Sequence, residues 1–261
     1  MTLTMTTHAP AIGTLARREA WRMVRHPVYL FVLVYVLLVS GIEAVDLGLP
    51  SRDTMRSVLD SFGLMFFGIA TFFAANLVAS SARRARAESQ LAAAPTSAQT
   101  RTLATCLGVL GPTAVAAGFA TLIWLIEHVG TDLPLAQGPA ALAVIPLCTL
   151  GGGLLGVVAA QWLPWPGAAL IVVVAMIAWV VAAGNNVDLR WTSPWTMSPE
   201  FHDDFLLTAG SQVWHAVYLL GLGLLAGVAA LLRYPSHRRP LLALGAALWI
   251  GTLAAYWAQL P

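Results

Sequence analysis

The run AALAVIPLCTLGGGLLGVVAA, residues 140–160, decides the fold class of this chain because it holds no charged side chain. A helix needs about 20 consecutive, mostly apolar residues to cross the hydrocarbon core of a bilayer. The apolar residues follow one another without the alternation that a barrel strand would show. The run therefore predicts a membrane-spanning helix.

Similar apolar runs occupy most of the rest of the chain. They cover about residues 28–45, 62–80, 103–126, 167–183, 213–232 and 241–258. The composition agrees, since 58% of the residues are hydrophobic and only 10% are charged, against roughly 25% charged in a soluble domain. We predict an all-α integral membrane protein, in which residues 1–261 form one polytopic bundle of six to seven transmembrane helices with an N-terminal interfacial helix.

The arginines predict how this bundle is oriented. All 14 basic residues are arginine, and basic residues accumulate on the cytoplasmic side of membrane proteins. With alternating spans, eleven would lie on the side of the N-terminus: Arg17, Arg18, Arg22, Arg25, Arg83, Arg84, Arg86, Arg101, Arg233, Arg238 and Arg239. We expect a bacterial cytoplasmic membrane protein with its N-terminus in the cytoplasm and its C-terminus outside.

The segment before the first span, residues 11–27, has two faces if it is helical. Arg18, Arg22 and Arg25 would share one face, opposite Ala20 and Met23. This pattern is typical of an interfacial helix whose basic face meets lipid headgroups. The arginines would also serve as a plain orientation signal, and the two interpretations stay open together.

Few polar groups within the spans suggest chemistry. Asn76, in the second span, favours an interhelical hydrogen bond, with contact to a transported substrate as the alternative. His202, Asp203 and Asp204 lie in a long external segment, where such residues are usually solvated, so we expect neither a metal nor a cofactor. The chain has no lysine and hence no standard phosphate-binding loop, and we do not expect it to be an enzyme.

Two pairs of glycines have the spacing that lets helices approach closely. The first pair is Gly152 and Gly156, in the run quoted above, and the second is Gly223 and Gly227. We interpret both pairs as packing positions.

The connector SSARRARAESQLAAAPTSAQTRTLATC, residues 80–106, separates the second and third apolar runs. Residues 83–94 are mostly good helix formers, so we predict a short helix there, stopped by Pro95. Thr96 and Gln99 fit the pattern of a capping box and predict the start of the next helix.

This connector resembles the cytoplasmic segment that follows the second span in type-2 ABC transporter permeases. That segment ends in a Leu-Leu-x-Thr-Pro-Val-Ser-like run, which Leu91, Pro95 and Ser97 match. The leader RREAWRMVRHPVYLFVLVY, residues 17–35, also resembles the family's entry into its first span. The chain departs from the family in lacking the Gly-Thr-Leu-Glu run before the leucines, with Glu88 as the nearest acid, and in having a seventh apolar run where six are usual.

The resemblance implies a membrane subunit of an ATP-driven exporter that works as a homodimer or heterodimer with a second permease copy. Residues 82–101 would be the coupling segment that docks on a separate cytoplasmic ABC ATPase subunit, and residues 184–212 an external re-entrant or surface segment. The residues implied in coupling are Arg86, Glu88, Leu91, Pro95 and Ser97. The expected partners are that ATPase, the second permease copy and membrane lipid, with no nucleic acid.

Two other functions remain alternatives. One is a non-transporting membrane scaffold or immunity protein, and the other is a membrane enzyme that modifies lipids. An ATPase that assembles with the chain would favour the permease, whereas activity of the isolated chain on a lipid would favour the enzyme.

Overall fold

The structure is a computed structural model that describes residues 8–46, 64–87, 89–90, 93, 96–130, 139–165, 167–184, 189–193 and 209–260. Its α-helices are α1 (His8–Val24), α2 (Pro27–Asp46), α3 (Leu64–Ala79), the short α4 (Ser81–Arg84), α5 (Ala98–Gly108), α6 (Leu110–Gly130), α7 (Pro139–Trp162), α8 (Ala168–Gly184), α9 (Ala209–Leu231) and α10 (Arg238–Gln259). A 3-10 turn, Arg190–Thr192, lies between α8 and α9. Every regular element among these residues is helical, which confirms the all-α class.

Several of these helices are long and apolar enough to cross a membrane. Four qualify within the described residues: Ala98–Leu122, which joins α5 to α6, Ala143–Trp162, Val213–Leu231 and Arg238–Gln259. A fifth qualifies if α1 and α2, which are bent by 55° at the break between them, form one span. Two shorter apolar helices, Phe66–Ala79 and Ala168–Ala183, complete the set. The helices are consistent with a multi-pass membrane protein, and the count of six to seven spans stays a prediction.

Helix α7 lies at the centre of the bundle because its glycines let two neighbours approach it. A Cβ atom added at Gly152 or Gly156 would overlap a backbone carbonyl oxygen of α3. Gly151 and Gly223 bring α9 into ordinary van der Waals contact with α7 on another side, since a Cβ at Gly223 would lie 3.4 Å from the Cα of Gly151. The packing role predicted for Gly152 and Gly156 is therefore confirmed, whereas Gly223 and Gly227 make only ordinary contacts with α7.

An aromatic cluster joins α2, α3 and α6. The ring centres of Phe67 and Phe119 are 5.3 Å apart, and those of Tyr29 and Phe67 are 6.3 Å apart. Tyr29 is fully buried, and its hydroxyl donates a hydrogen bond of 3.2 Å to the carbonyl oxygen of Pro112. The bond satisfies a polar group that would otherwise be costly to bury.

Large apolar side chains also cover the outside of the bundle. Phe31 on α2, Leu170 on α8 and Ile250 on α10 all stand exposed. Such a surface would be unfavourable in water and suits contact with lipid. The outer helices therefore carry the apolar faces expected of a protein in a bilayer.

Candidate functional site

Three arginine-bearing stretches that are far apart in sequence meet at one end of the bundle. Arg22 Nη2 on α1 donates to Ser81 Oγ on α4 over 3.2 Å. Arg83 Nη1 donates to the carbonyl oxygen of Ala160, in the last turn of α7, over 3.0 Å. Gln99 Nε2 on α5 donates over 3.0 Å to the carbonyl oxygen of Ser236, in the turn between α9 and α10. Arg238 and Arg239 follow this turn directly. We call this part of the molecule the arginine-rich end.

Helix α1 packs at this end against two glycines at the junction of α5 and α6. A Cβ added at Gly108 would lie 2.9 Å from Glu19 Cβ, and one added at Gly111 would lie 2.8 Å from Ala20 Cβ. Met23 on the same helix is fully buried. The arginines predicted for its other face, Arg18, Arg22 and Arg25, are exposed. The helix and its two faces are thus present, and its placement at a membrane surface stays a prediction.

A cavity of about 860 Å³ opens between α1, α4, α5 and α7. Four arginines line it: Arg18, Arg22, Arg83 and Arg101. Among its described lining residues Glu19 supplies the one carboxylate, and Glu19 Oε2 is 3.0 Å from Arg22 Nη1. The cavity therefore carries an excess of positive charge, which favours a negatively charged partner.

A ring of three hydrogen bonds closes the inner side of this cavity. Gln161 Nε2 donates to Thr102 Oγ1 over 3.3 Å, Thr102 Oγ1 donates to the hydroxyl of Tyr234 over 3.1 Å, and that hydroxyl donates to Gln161 Oε1 over 3.1 Å. Each member accepts from one neighbour and donates to the other. The ring ties together the start of α5, the end of α7 and the segment after α9. Sequence reasoning missed it because its members lie just outside three different apolar runs, far apart in the sequence.

The connector departs from the helix predicted over residues 83–94. Helix α4 ends at Arg84, and Arg86 has φ of +53°. That left-handed conformation is incompatible with a continuing α-helix, so the prediction of one helix from residue 83 is wrong. Ser89 and Gln90 are helical and exposed. The other implied coupling residues, Glu88, Leu91 and Pro95, lie outside the described residues.

The predicted capping box is also displaced by one residue. Ser97, not Thr96, is the N-cap of α5, and its Oγ accepts a hydrogen bond of 3.0 Å from the backbone N–H of Thr100. Gln99 is then one position too early to reach back to the cap, and its side chain bonds to Ser236 instead. Ser97, implied by the resemblance in coupling, thus has a structural role at the start of α5.

Asn76 lies on the seam between α3 and α7. Its Nδ2 donates a hydrogen bond of 3.1 Å to the carbonyl oxygen of Gly156. Gly156 is also the residue whose missing Cβ lets the two backbones meet. The interhelical hydrogen bond expected of Asn76 is therefore present.

At the opposite end of the bundle, the 3-10 turn packs against α9 and α10. Gln259 Nε2 donates to the carbonyl oxygen of Trp191 over 3.1 Å, and Gln259 Oε1 is 2.8 Å from His215 Nδ1. Trp191, His215 and Gln259 are all buried. The neighbouring residues 194–208, with His202, Asp203 and Asp204, lie outside the described part of the chain. Within that part, no group of three or more His, Cys, Asp or Glu could hold a metal.

Comparison with protein-family models, with curated proteins and with solved structures finds no match to this chain in any of the three.

Proposed function

We propose that this chain is the membrane-spanning permease subunit of an ATP-driven ABC exporter, and that a separate ATPase subunit docks on its arginine-rich end. The subunit would pair with a second permease copy and cross a bacterial cytoplasmic membrane six or seven times, with its N-terminus in the cytoplasm. One observation carries the proposal: the leader helix α1 and the connector after α3, which carry the resemblance to permeases, line a single cavity.

The contacts of the connector supply a route from such a partner to the spans. Ser81 bonds to Arg22 on α1, and Arg83 bonds to the end of α7. A displacement of the connector would therefore be passed to α1 and to the central helix. Rigid-body shifts of packed helices between discrete arrangements are a common form of switching, and an exporter needs such a shift to alternate between inward-open and outward-open states.

The charge of the arginine-rich end suits a docking surface for an acidic groove on a partner. Arg18 and Arg22 are exposed at this end, and the exposed Arg86 on the connector lies at a break between helical turns. Opposite charges on two partners increase the rate and the specificity of association. The same arginines would also hold this end on the cytoplasmic side.

The proposal is tested by purifying the chain from its native membranes in a mild detergent. We expect an ATPase with a phosphate-binding loop to purify with it in a fixed ratio. Leu91→Asp should greatly reduce the yield of that complex, because an unpaired charge in an interface costs about 3–5 kcal/mol. Trp257→Asp is the control, since Trp257 is exposed near the far end of α10, away from the arginine-rich end.

Three outcomes would contradict the proposal. Purification with another membrane complex but no ATPase would favour a scaffold or immunity protein. Turnover of a lipid by the isolated chain would favour a membrane enzyme. A yield of the ATPase complex from Leu91→Asp equal to that from the unchanged chain and from Trp257→Asp would remove the connector from the docking surface.

A further inference from the structure

A second cavity lies beside α1, on the side that faces α6. Its volume is about 590 Å³, within the range of roughly 300–1,000 Å³ typical of ligand pockets. Arg17, Arg18 and Trp21 line it from α1, and Gly111 and Val115 line it from α6. We call it the α1–α6 groove. It is separate from the larger cavity, although Arg18 borders both.

The lining of the groove is almost wholly apolar, and two exposed arginines border one end of it. Arg17 and Arg18 precede the lining residue Val24 on α1 by about two helical turns, given 3.6 residues per turn. Val115 follows Gly111 by about one turn on α6. The aliphatic parts of Arg17 and Arg18 therefore line one end of the groove, and valine side chains and the backbone of a glycine line it further along.

An aromatic residue marks the level of the groove relative to lipid headgroups. Trp21 is 58% exposed, and the guanidinium of Arg25 lies 4.3 Å from the centre of its ring. Tryptophan and arginine side chains are enriched where helices meet the membrane interface. Such a pair is typical of a helix at the depth where phosphate groups meet the hydrocarbon.

We infer that the α1–α6 groove binds one anionic phospholipid. Its phosphodiester would lie against Arg17 and Arg18, whose planar guanidinium groups match phosphate oxygens in pairs. One acyl chain would lie along Val24 and Val115. A free phosphate would leave the apolar wall empty, and a zwitterionic lipid would bring its own cation to the two arginines. Basic pockets between helices on the cytoplasmic side of membrane proteins are suited to anionic headgroups.

The inference needs the chain to lie in a bilayer, but it does not depend on an ATPase partner. It is tested by native mass spectrometry on the full chain in mild detergent, with phosphatidylglycerol, phosphatidylethanolamine or glycerophosphoglycerol added at equal concentration. We expect one bound phosphatidylglycerol at about tenfold lower concentration than phosphatidylethanolamine, and no binding of the headgroup without its acyl chains.

Two variants test the arginines and the apolar wall of the groove separately. The double variant Arg17→Gln with Arg18→Gln should abolish the tenfold preference for phosphatidylglycerol. Val115→Trp fills the apolar part and should weaken binding of phosphatidylglycerol about tenfold while both arginines remain. The matched controls are Arg238→Gln with Arg239→Gln, at the start of α10, and Val174→Trp on the exposed face of α8, which should bind as the unchanged chain does.

Unchanged preference in the double variant overturns the inference, whatever Val115→Trp does. An equal loss of the preference in Arg238→Gln with Arg239→Gln also overturns it. Lipid binding would then depend on the net charge of the arginine-rich end and not on the groove. Binding of the headgroup alone would show a phosphate site without a lipid and would contradict the role given to the apolar wall.

Discussion

At the scale of single residues, close packing on the central helix depends on glycines whose neighbours are backbone atoms. A Cβ at Gly156 would overlap the carbonyl oxygen of Phe72, which cannot move unless α3 moves. We therefore expect Gly156→Ala to lower the free energy of unfolding by about 1–3 kcal/mol, the usual cost of overpacking. The measurement is thermal unfolding in detergent, followed with a thiol-reactive dye, since Cys106 and Cys148 are both buried.

Gly251→Ala is the control for that substitution. A Cβ at Gly251 would meet nothing within 4 Å, and alanine is favoured over glycine in a helix by up to about 1 kcal/mol. This variant should unfold at the same or a higher temperature than the unchanged chain. Equal destabilisation by the two substitutions would contradict the packing assigned to Gly156.

His26 lies at the bend between α1 and α2, and we expect it to make the stability of the chain sensitive to pH. Burial, with the charges of Arg84 and then Arg22, holds the pKa of His26 below its ordinary value of 6.5. The backbone N–H of Val28 donates to its Nδ1 over 3.3 Å, and protonation of that nitrogen removes the acceptor. Because the pKa of His26 is lower in the folded chain than in the unfolded chain, the unfolded chain binds the proton more readily. The folded chain therefore loses stability relative to the unfolded chain as the pH falls below about 6.5.

We expect His26→Asn to remove this loss, because an asparagine side chain can accept the same N–H without titrating. The measurement is the difference in unfolding temperature between the variant and the unchanged chain at pH 8 and at pH 5. The difference should move in favour of the variant at pH 5. A difference that does not change with pH would show that His26 carries no part of the acid sensitivity.

At the scale of elements, substitutions at the start of α5 distinguish the observed N-cap, Ser97, from the predicted one, Thr96. Ser97→Ala removes the side-chain oxygen that accepts from Thr100 N–H and should lower stability by about 1 kcal/mol. Thr96→Ala keeps the carbonyl oxygen to which Arg101 Nη1 donates, so it should change stability by less than about 0.5 kcal/mol. A larger effect of Thr96→Ala, in the same unfolding assay, would restore the capping box predicted from sequence.

Helix positions and glycine packing could be predicted because each depends on a short stretch of sequence. An apolar run such as residues 140–160 must become a helix to satisfy its backbone in lipid, and the spacing of Gly152 and Gly156 is visible within it. The end of α4 could not be predicted in the same way. Its residues are good helix formers, yet Arg84 bonds back to the carbonyl oxygen of Leu77 and the chain turns at Arg86.

The arginine-rich cavity also could not be predicted from short stretches of sequence. The sequence groups the arginines on one side of the membrane but gives no sign that α1 lies against Gly108 and Gly111. Likewise, Thr102, Gln161 and Tyr234 are unremarkable in their own segments, and their ring of hydrogen bonds exists only because three helix ends converge. Sites built from several helix ends require the packing of the whole bundle.

At the scale of the whole molecule, the distribution of arginines predicts the sidedness of both termini. Seven spans with the arginine-rich end in the cytoplasm put the N-terminus inside and Pro261 outside. Fusions of a reporter enzyme to the two ends should therefore report opposite sides of the membrane. If both ends report the cytoplasm, the number of spans is even, and the uncharged turn at 161–166 is the first place to correct.

Docking of an ATPase on the arginine-rich end can be tested with a photocrosslinker. A photoreactive phenylalanine analogue would be placed at position 86 on the connector and, as the control, at position 257, where the exposed Trp257 lies near the far end of α10. After irradiation of native membranes, we expect position 86 to be joined to a protein whose sequence contains an ATPase phosphate-binding loop, and position 257 not to be. An ATPase-containing complex that purifies with the chain but forms no crosslink at position 86, or crosslinks equally at position 257, would contradict it.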